Sequence, residues 1–497
     1  MSLYLYGAAV QGIQNFIFET NELKDIVGAS ELVEKICTSL FAETINSNIS
    51  KLKEDPNAIL NAAGNIKYIF KEEDECRKVV LNFPRKVMGA APGITISQAV
   101  VKFDNDFPSA VDELEDKLRA QRNKPMPSST IGYIGIQRAR KTGKPAVNID
   151  GGDYLDDASY KKRFDNDGRK RTTKTLCEKC FGETHLQDNR IAYDIEDITG
   201  QNSWIAIIHA DGNGLGQVVR EIGRDKEQFR AFSKGLDKST IEAARIAFDQ
   251  IMTINGSYQE MVIPFRPIVL GGDDLTMICR GDLAIPFVKA YMEQFENLTE
   301  ENTGRELTAC AGIAFIKSSY PFYYGYSLAE SLCDAAKKDA KKEDMMAAND
   351  GLVPSCLMFH KVQDSFIESY KDIAKRELTT KDGYSFSFGP YYLNEQKDRW
   401  NIEKLIYSCN LLSDEDGNAI KTHLRKWISL MIDNRSAAEQ HIFRLLEMIP
   451  QKRVDLKRFI LEITYQSDKT DDPDHPGKSP VYDILALNAI NNIETKQ

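Results

Sequence analysis

The sequence predicts an α+β chain built on two ferredoxin-like domains, and three observations carry that prediction. A β-α-β-β-α-β succession of apolar patterns runs from the N-terminus and recurs in the middle of the chain. In the second copy a Gly-Gly-Asp-Asp run, residues 271–274, sits between two strand-like apolar runs, PIVL and LTMIC. A polar stretch separates the copies, and amphipathic helical patterns follow the second.

The first copy opens with an apolar run over Leu3–Ile17 that breaks at Gly12 and passes into a helical pattern over Ile26–Ala42. Two short β-type runs follow, Ala58–Ala63 and Ile66–Phe70, joined at Gly64-Asn65, a dipeptide suited to positive φ in a tight turn. A helix-compatible stretch around Glu73–Pro84 and a β-rich run over Ile94–Phe103 complete the order. The second copy opens with Trp204–Ala210, a nearly continuous apolar strand, then the turn Asp211-Gly212-Asn213-Gly214 and a helical region to Met252. Two strands over Ile268–Cys279, a helix over Leu283–Leu298, a strand over Leu307–Phe315, a helix over Leu328–Lys342 and a last strand over Cys356–His360 follow. The expected domains are therefore 1–105, an insert over 106–200, 201–365, and a C-terminal helical domain over 366–497, the last with helices such as Lys421–Ile432 and Ala437–Met448.

A chain of 497 residues is too long for one ordinary core. With 42% hydrophobic and 28% charged residues it has the balance of a globular protein. No apolar run approaches the roughly 20 residues that span a bilayer, and the N-terminus lacks the basic start and apolar stretch of a signal peptide. A cytoplasmic protein without membrane contact is expected. The net charge of −10 argues against a general nucleic-acid-coating surface. The basic clusters Lys161–Arg163 and Arg169–Lys174 read as solvated loop charge.

The chemistry concentrates in the second copy. Asp211 ends a strand, while Asp273 and Asp274 stand at a hairpin tip whose turn is made by Gly271 and Gly272. If those strands are neighbours, three carboxylates meet at one sheet edge. Charges about 4 Å apart repel by several kcal/mol at an effective dielectric near 20, so such a cluster calls for cations. Oxygen-only ligands suit Mg²⁺ or Mn²⁺, which keep waters and bridge to phosphates. Such ions support 3′-hydroxyl attack on an α-phosphate with pyrophosphate leaving, the chemistry of a nucleotidyltransferase. The backbone N–H groups of Gly212-Asn213-Gly214, at a helix start, are candidate triphosphate holders. Gly271 and Gly272 allow a nucleotide close to the backbone. Lys337 and Lys341, four apart on one helix face, are candidate partners for the β- and γ-phosphates. Cys177-x-x-Cys180 with His185 offers three candidate zinc ligands and no evident fourth. His209 reads as a strand residue rather than a general base.

These residues resemble the large palm-domain subunit of type III CRISPR effector complexes, the cyclic oligoadenylate synthase family. The resemblance runs through VQGIQNFIF and ELKDIVGASELVEKI in the first copy, CEKC in the insert, and HADGNGLG and GGDD in the second. It implies two polymerase/cyclase-type palm domains, metal binding by Asp211, Asp273 and Asp274, and ATP as substrate. It further implies oligoadenylate synthesis within a ribonucleoprotein that holds guide RNA, target RNA and other CRISPR subunits. Asn213 stands where many relatives carry an acidic residue, and the first-copy hairpin Ala62-Ala63-Gly64-Asn65 lacks carboxylates. That hairpin is expected to hold an acceptor ATP across the palm–palm interface rather than a second metal site. No histidine is followed by aspartate and the chain opens directly on the first palm, so no HD-type nuclease is expected. Two rival readings stand beside this one: a scaffold or RNA-sensing subunit without catalysis, and a stand-alone cyclase or an enzyme joining AMP to a cosubstrate such as S-adenosylmethionine.

Overall fold

The computed structural model describes residues 2–62, 64–104, 106–124, 135–188, 190–199, 203–222, 225–254, 262–363, 369–413, 415–465 and 477–491. Ala63 of the first hairpin and most of the polar loop over 467–480 lie outside the described residues.

The first sheet contains β1 (Leu3–Gln11), β2 (Ala58–Ala62), β3 (Asn65–Phe70) and β4 (Thr95–Phe103) in the order β2-β3-β1-β4. All pairings are antiparallel, with Ala9 opposite Asn65 and Leu3 opposite Phe103. The second sheet contains β5 (Trp204–Gly212), β6 (Phe265–Gly271), β7 (Asp274–Arg280), β8 (Ala309–Lys317), β9 (Cys356–Lys361) and β10 (Tyr391–Tyr392), ordered β6-β7-β5-β8-β9-β10. Its first four strands repeat the order of the first sheet, and β9 and β10 extend it on the β8 side. Both sheets thus follow the ferredoxin-like plan.

Helix α1 (Leu23–Lys35) and α2 (Glu73–Ala90) cross the first sheet. The sequence pattern ends the second of these at Pro84, yet the helix continues to Ala90. Buried Cys76, Val79, Phe83 and Val87 keep one apolar face across the proline. The carbonyl of Val80, which Pro84 leaves without its helical donor, accepts instead from Gln98 Nε2 at 2.9 Å. Helices α3 (Phe107–Arg122) and α4 (Thr175–Asp188, kinked at Gly182) precede the second sheet. The second unit adds α5 (Leu215–Ile222), α6 (Lys226–Ile254), α7 (Ala284–Thr303) and α8 (Phe322–Ala340). At the C-terminal end lie α9 (Ile402–Leu411), α10 (Glu415–Asp433), α11 (Arg435–Met448), α12 (Val454–Tyr465) and α13 (Val481–Asn491).

Two cores divide along the sheets. Ile205 and Ile207 of β5 point into one, shared with α1, α2 and α8, while Ala206, Ile208 and Ala210 point into the other, shared with α6, α7 and the C-terminal helices. A strand buried on both faces needs a continuous apolar run, which is what WIAIIHA supplies. The units dock through α1, whose Ser30 hydroxyl donates to the carbonyl of Ile268 where β6 bulges between Pro267 and Val269. Arg230 of α6 caps carbonyls of Glu54, Asp55 and Ala58 at 3.2, 2.8 and 3.0 Å.

The cluster Lys161–Arg163 is not the solvated loop charge its composition suggests. Lys162 is fully buried, with Nζ 2.9 Å from Glu19 and over the Phe16 ring. Arg163 is buried against Asp25 and reaches Asp150 at 3.2 Å. Sequence alone does not show that Glu19 and Asp25 wait opposite to neutralise them. No helix of the described residues is long and apolar enough to cross a membrane.

Candidate functional site

β5 and β7 are neighbours, and their register sets Asp211 directly opposite Asp274. The β6–β7 hairpin closes with Gly271 opposite Asp274, leaving Gly272-Asp273 as a two-residue turn. Gly272 adopts φ 63°, a left-handed conformation that glycine enters without a Cβ penalty. Gly212 is equally constrained, because a Cβ there would lie 3.0 Å from Asp273 Cβ and 2.9 Å from Leu215. Among the described residues, Asp211, Asp273 and Asp274 form the one group of candidate metal ligands whose donor atoms gather within 4.8 Å.

The electrostatics follow from that crowding. Burial, then Asp274 and Asp211, push the Asp273 carboxyl up to about 8. Burial and Asp211 push Asp274 up to about 6, against the pull of Lys337. Lys337 forms an ion pair with Asp211 and donates to the carbonyl of Gly212 at 3.0 Å. Burial lowers the Lys337 pKa, but Asp211 outweighs it and the net direction is upward. Three carboxylates with, among the described residues, one ammonium paired to them are a donor set that fits a hard divalent cation.

The other residues singled out by sequence fall in several places. Lys341 is exposed just past the end of α8, and its ammonium makes no ion pair among the described residues. The Asn213 N–H, expected to face a triphosphate, is spent on the carbonyl of Thr308 at 2.8 Å. Its side chain points into the interior, donating to Thr308 Oγ1 at 3.0 Å and Cys310 Sγ at 3.4 Å. Gly214 has φ 74° and its carbonyl accepts from Gln217 at 3.0 Å, opening α5. Gly64 is buried and adopts φ 80°, the left-handed turn conformation its sequence position predicts, with a Cβ there meeting Ile13 Cδ1 at 2.5 Å; Asn65 lies in register with Ala9.

His209 Nδ1 lies 3.3 Å from the Thr276 hydroxyl, and burial lowers its pKa while Asp211 pulls the other way. Cys177 and Cys180 are buried, and Arg266 donates to Cys177 Sγ at 3.2 Å. His185 sits against Asp249 at 2.9 Å instead of joining them. Among the described residues Cys177, Cys180 and His185 do not gather into one group of candidate metal ligands. Sequence reading missed Asp237 and Thr240 of α6, which hydrogen-bond the two sides of Gly272 at 3.0 and 2.6 Å. Nothing local marks them, since only the packing of α6 under the hairpin brings them there.

Fold and site together define a palm-domain protein of the polymerase and nucleotide-cyclase type. More particularly, residues 204–347 match the second palm domain of Cas10/Cmr2. In solved structures it is similar to a chain of the Csm1-Csm4 cassette in complex with cA4 (TM-score 0.57, 12% identity, covering 98% of this chain and 69% of that one). The cassette in complex with AMPPNP gives the same figures. The Csm1-Csm4 subcomplex in the type III-A CRISPR-Csm interference complex gives TM-score 0.50 at 13% identity, with the same coverage. At such identities the likeness is one of fold. No curated protein matches the chain in sequence.

Proposed function

We propose that this chain is a metal-dependent nucleotidyltransferase that condenses ATP through 3′–5′ linkages into a cyclic or linear oligoadenylate. Its setting is a type III CRISPR ribonucleoprotein that contains guide RNA and target RNA. The observation that carries the reading is the meeting of Asp211, Asp273 and Asp274 within 4.8 Å at the ends of paired strands. The likeness to Csm1-Csm4 structures with AMPPNP and cA4 supports the choice of nucleotide and product class.

Asp211, Asp273 and Asp274 would hold Mg²⁺ or Mn²⁺, which when bound neutralises phosphate charge and lowers the pKa of an attacking hydroxyl. The chain's own residues do the rest. Lys337 keeps Asp211 oriented and adds positive charge beside the carboxylates. The Gly271-Gly272 backbone carries no side chain that would obstruct a triphosphate next to Asp273. His209, held at the Thr276 hydroxyl, is given no role as a general base in this reading. Asn213, turned inward, does not add to the carboxylate ligands. The intact carboxylate set disfavours a purely scaffolding role.

The test incubates the chain, alone and with CRISPR subunits, guide RNA and target RNA, with labelled ATP and Mg²⁺ or Mn²⁺, resolving products by mass. AMP-containing oligomers that vanish in the Asp273→Ala/Asp274→Ala variant are expected. In a parallel incubation with added S-adenosylmethionine, a product that joins it to AMP would move the reading to AMP conjugation. ATP left intact under every condition, with the partners still bound, would move it to a scaffold.

A further inference from the structure

The Gly271-Gly272 turn is gripped from below by one helix. Asp237 Oδ1 accepts from Gly272 N–H at 3.0 Å, and Thr240 Oγ1 donates to the Gly272 carbonyl at 2.6 Å. The two partners are three residues apart on α6, hence on one face. Both polar groups of the residue that precedes Asp273 are therefore fixed by the same rigid element. The approach is close: a Cβ at position 271 would stand 2.9 Å from Asp237 Oδ1 and would press on the carboxylate that accepts from Gly272.

The helix that does this is itself locked. Gly235 lets α6 approach α7 so closely that a Cβ would lie 2.6 Å from the Asn302 carbonyl. Ser239 Oγ donates to the Leu298 carbonyl at 2.8 Å and accepts from Asn302 Nδ2 at 3.1 Å. Thr240 is fully buried, and the fully buried Tyr291 of α7 lies beside it. A side chain held on both flanks transmits position rather than absorbing it.

We infer that Asp237 and Thr240 are positioning residues for the carboxylate site: by clamping the Gly272 peptide they fix where Asp273 and Asp274 leave the turn. This rests on the reading of those carboxylates as a metal site for nucleotidyl transfer. The need for such a clamp is physical. A two-residue turn that opens on Gly272 and follows Gly271 is conformationally free in isolation, and burial and mutual repulsion work against the convergence of Asp273 and Asp274. Metal ligands held by a supporting shell lose about 10- to 100-fold in affinity or activity when that shell is cut.

The test uses the full chain with Asp237→Ala, Asp237→Asn, Thr240→Val and Thr240→Ser. Mn²⁺ binding is read by electron paramagnetic resonance, AMP incorporation by kcat and KM for ATP, and folding by circular dichroism. Asp237→Ala and Thr240→Val should weaken Mn²⁺ binding about 10- to 100-fold and lower kcat similarly, with KM for ATP little changed. Asp237→Asn and Thr240→Ser, which keep the acceptor and the donor, should recover most of both. Unchanged Mn²⁺ affinity in folded Asp237→Ala and Thr240→Val overturns the inference. So does an Asp237→Asn variant as defective as Asp237→Ala, since charge and not the hydrogen bond would then matter. If no variant nor the parent chain incorporates AMP, the functional reading fails, while the Mn²⁺ measurement still decides the clamp.

Discussion

Lys337 is the residue on which the metal-free balance of the site turns. Its ammonium holds Asp211 and the Gly212 carbonyl, and it works against the upward shift of Asp274. Lys337→Met should lower AMP incorporation by about 10²-fold, the order seen when one preorganised electrostatic contact is removed, as kcat measurement would show. Lys341, one helical turn on and exposed, should tolerate Ala in the same assay. Another buried carboxyl, Asp483 of α13, makes no ion pair among the described residues, and Lys478 pulls only weakly against its burial. Burial pushes it up to about 7, although Tyr391 donates to it at 2.8 Å. The folded pKa exceeds the unfolded one, so this contribution to stability is full below about 4 and is lost as pH rises through 7. Relative to Asp483→Asn, the native chain should therefore lose up to about 4 kcal/mol between those limits, read by chemical denaturation across pH.

At the scale of elements, the pairing of β8 with α8 leaves no room for a side chain at Gly312. A Cβ there would stand 1.9 Å from the Ala329 carbonyl and 2.5 Å from Cys333 N, both backbone atoms that cannot swing away. Gly312→Ala should cost about 3 kcal/mol, measured by urea unfolding, because α8 must be pushed off the sheet. That displacement would also carry Lys337 away from Asp211. Helix α2 shows a local rule overridden by its surroundings. Pro84 should end it, but an apolar face that continues to Val87 and the rescue of Val80 by Gln98 extend it. The strand β5 shows the converse, a local rule sufficient in itself: buried on both faces, it is apolar from Trp204 to Ile208, with His209 breaking the run before Asp211.

For the whole molecule, the question is how the first sheet is held against the second. Arg230 spans the junction by bonding three carbonyls near β2, and Lys234 adds a fourth contact to the Lys53 carbonyl at 2.6 Å. Arg230→Ala should raise hydrogen exchange over 49–62 while leaving β5, β7 and β8 protected. Equal loosening of both sheets would mean that the units unfold as one. The buried pair of Asp25 with Arg163 works at the same scale, tying α1 to the segment before the second sheet.

The strands and main helices of both repeats are legible in the sequence, because periodicity, tight-turn residues and doubly apolar strands are local signals; the short helices Ile13–Ile17 and Ile49–Glu54 are not. The sequence also marked Asp211, Asp273 and Asp274, since acidic residues that interrupt apolar strands beside glycines are conspicuous in one dimension. Only the tertiary structure decided the pairing of Asp211 with Asp274, the choice of Lys337 over Lys341 and the inward turn of Asn213. It alone took Cys177 to Arg266, buried Lys162 and Arg163, and set Asp237 and Thr240 beneath the turn. These depend on which distant segment lies opposite, and a side chain's partner is set by packing and register rather than by its neighbours in the chain.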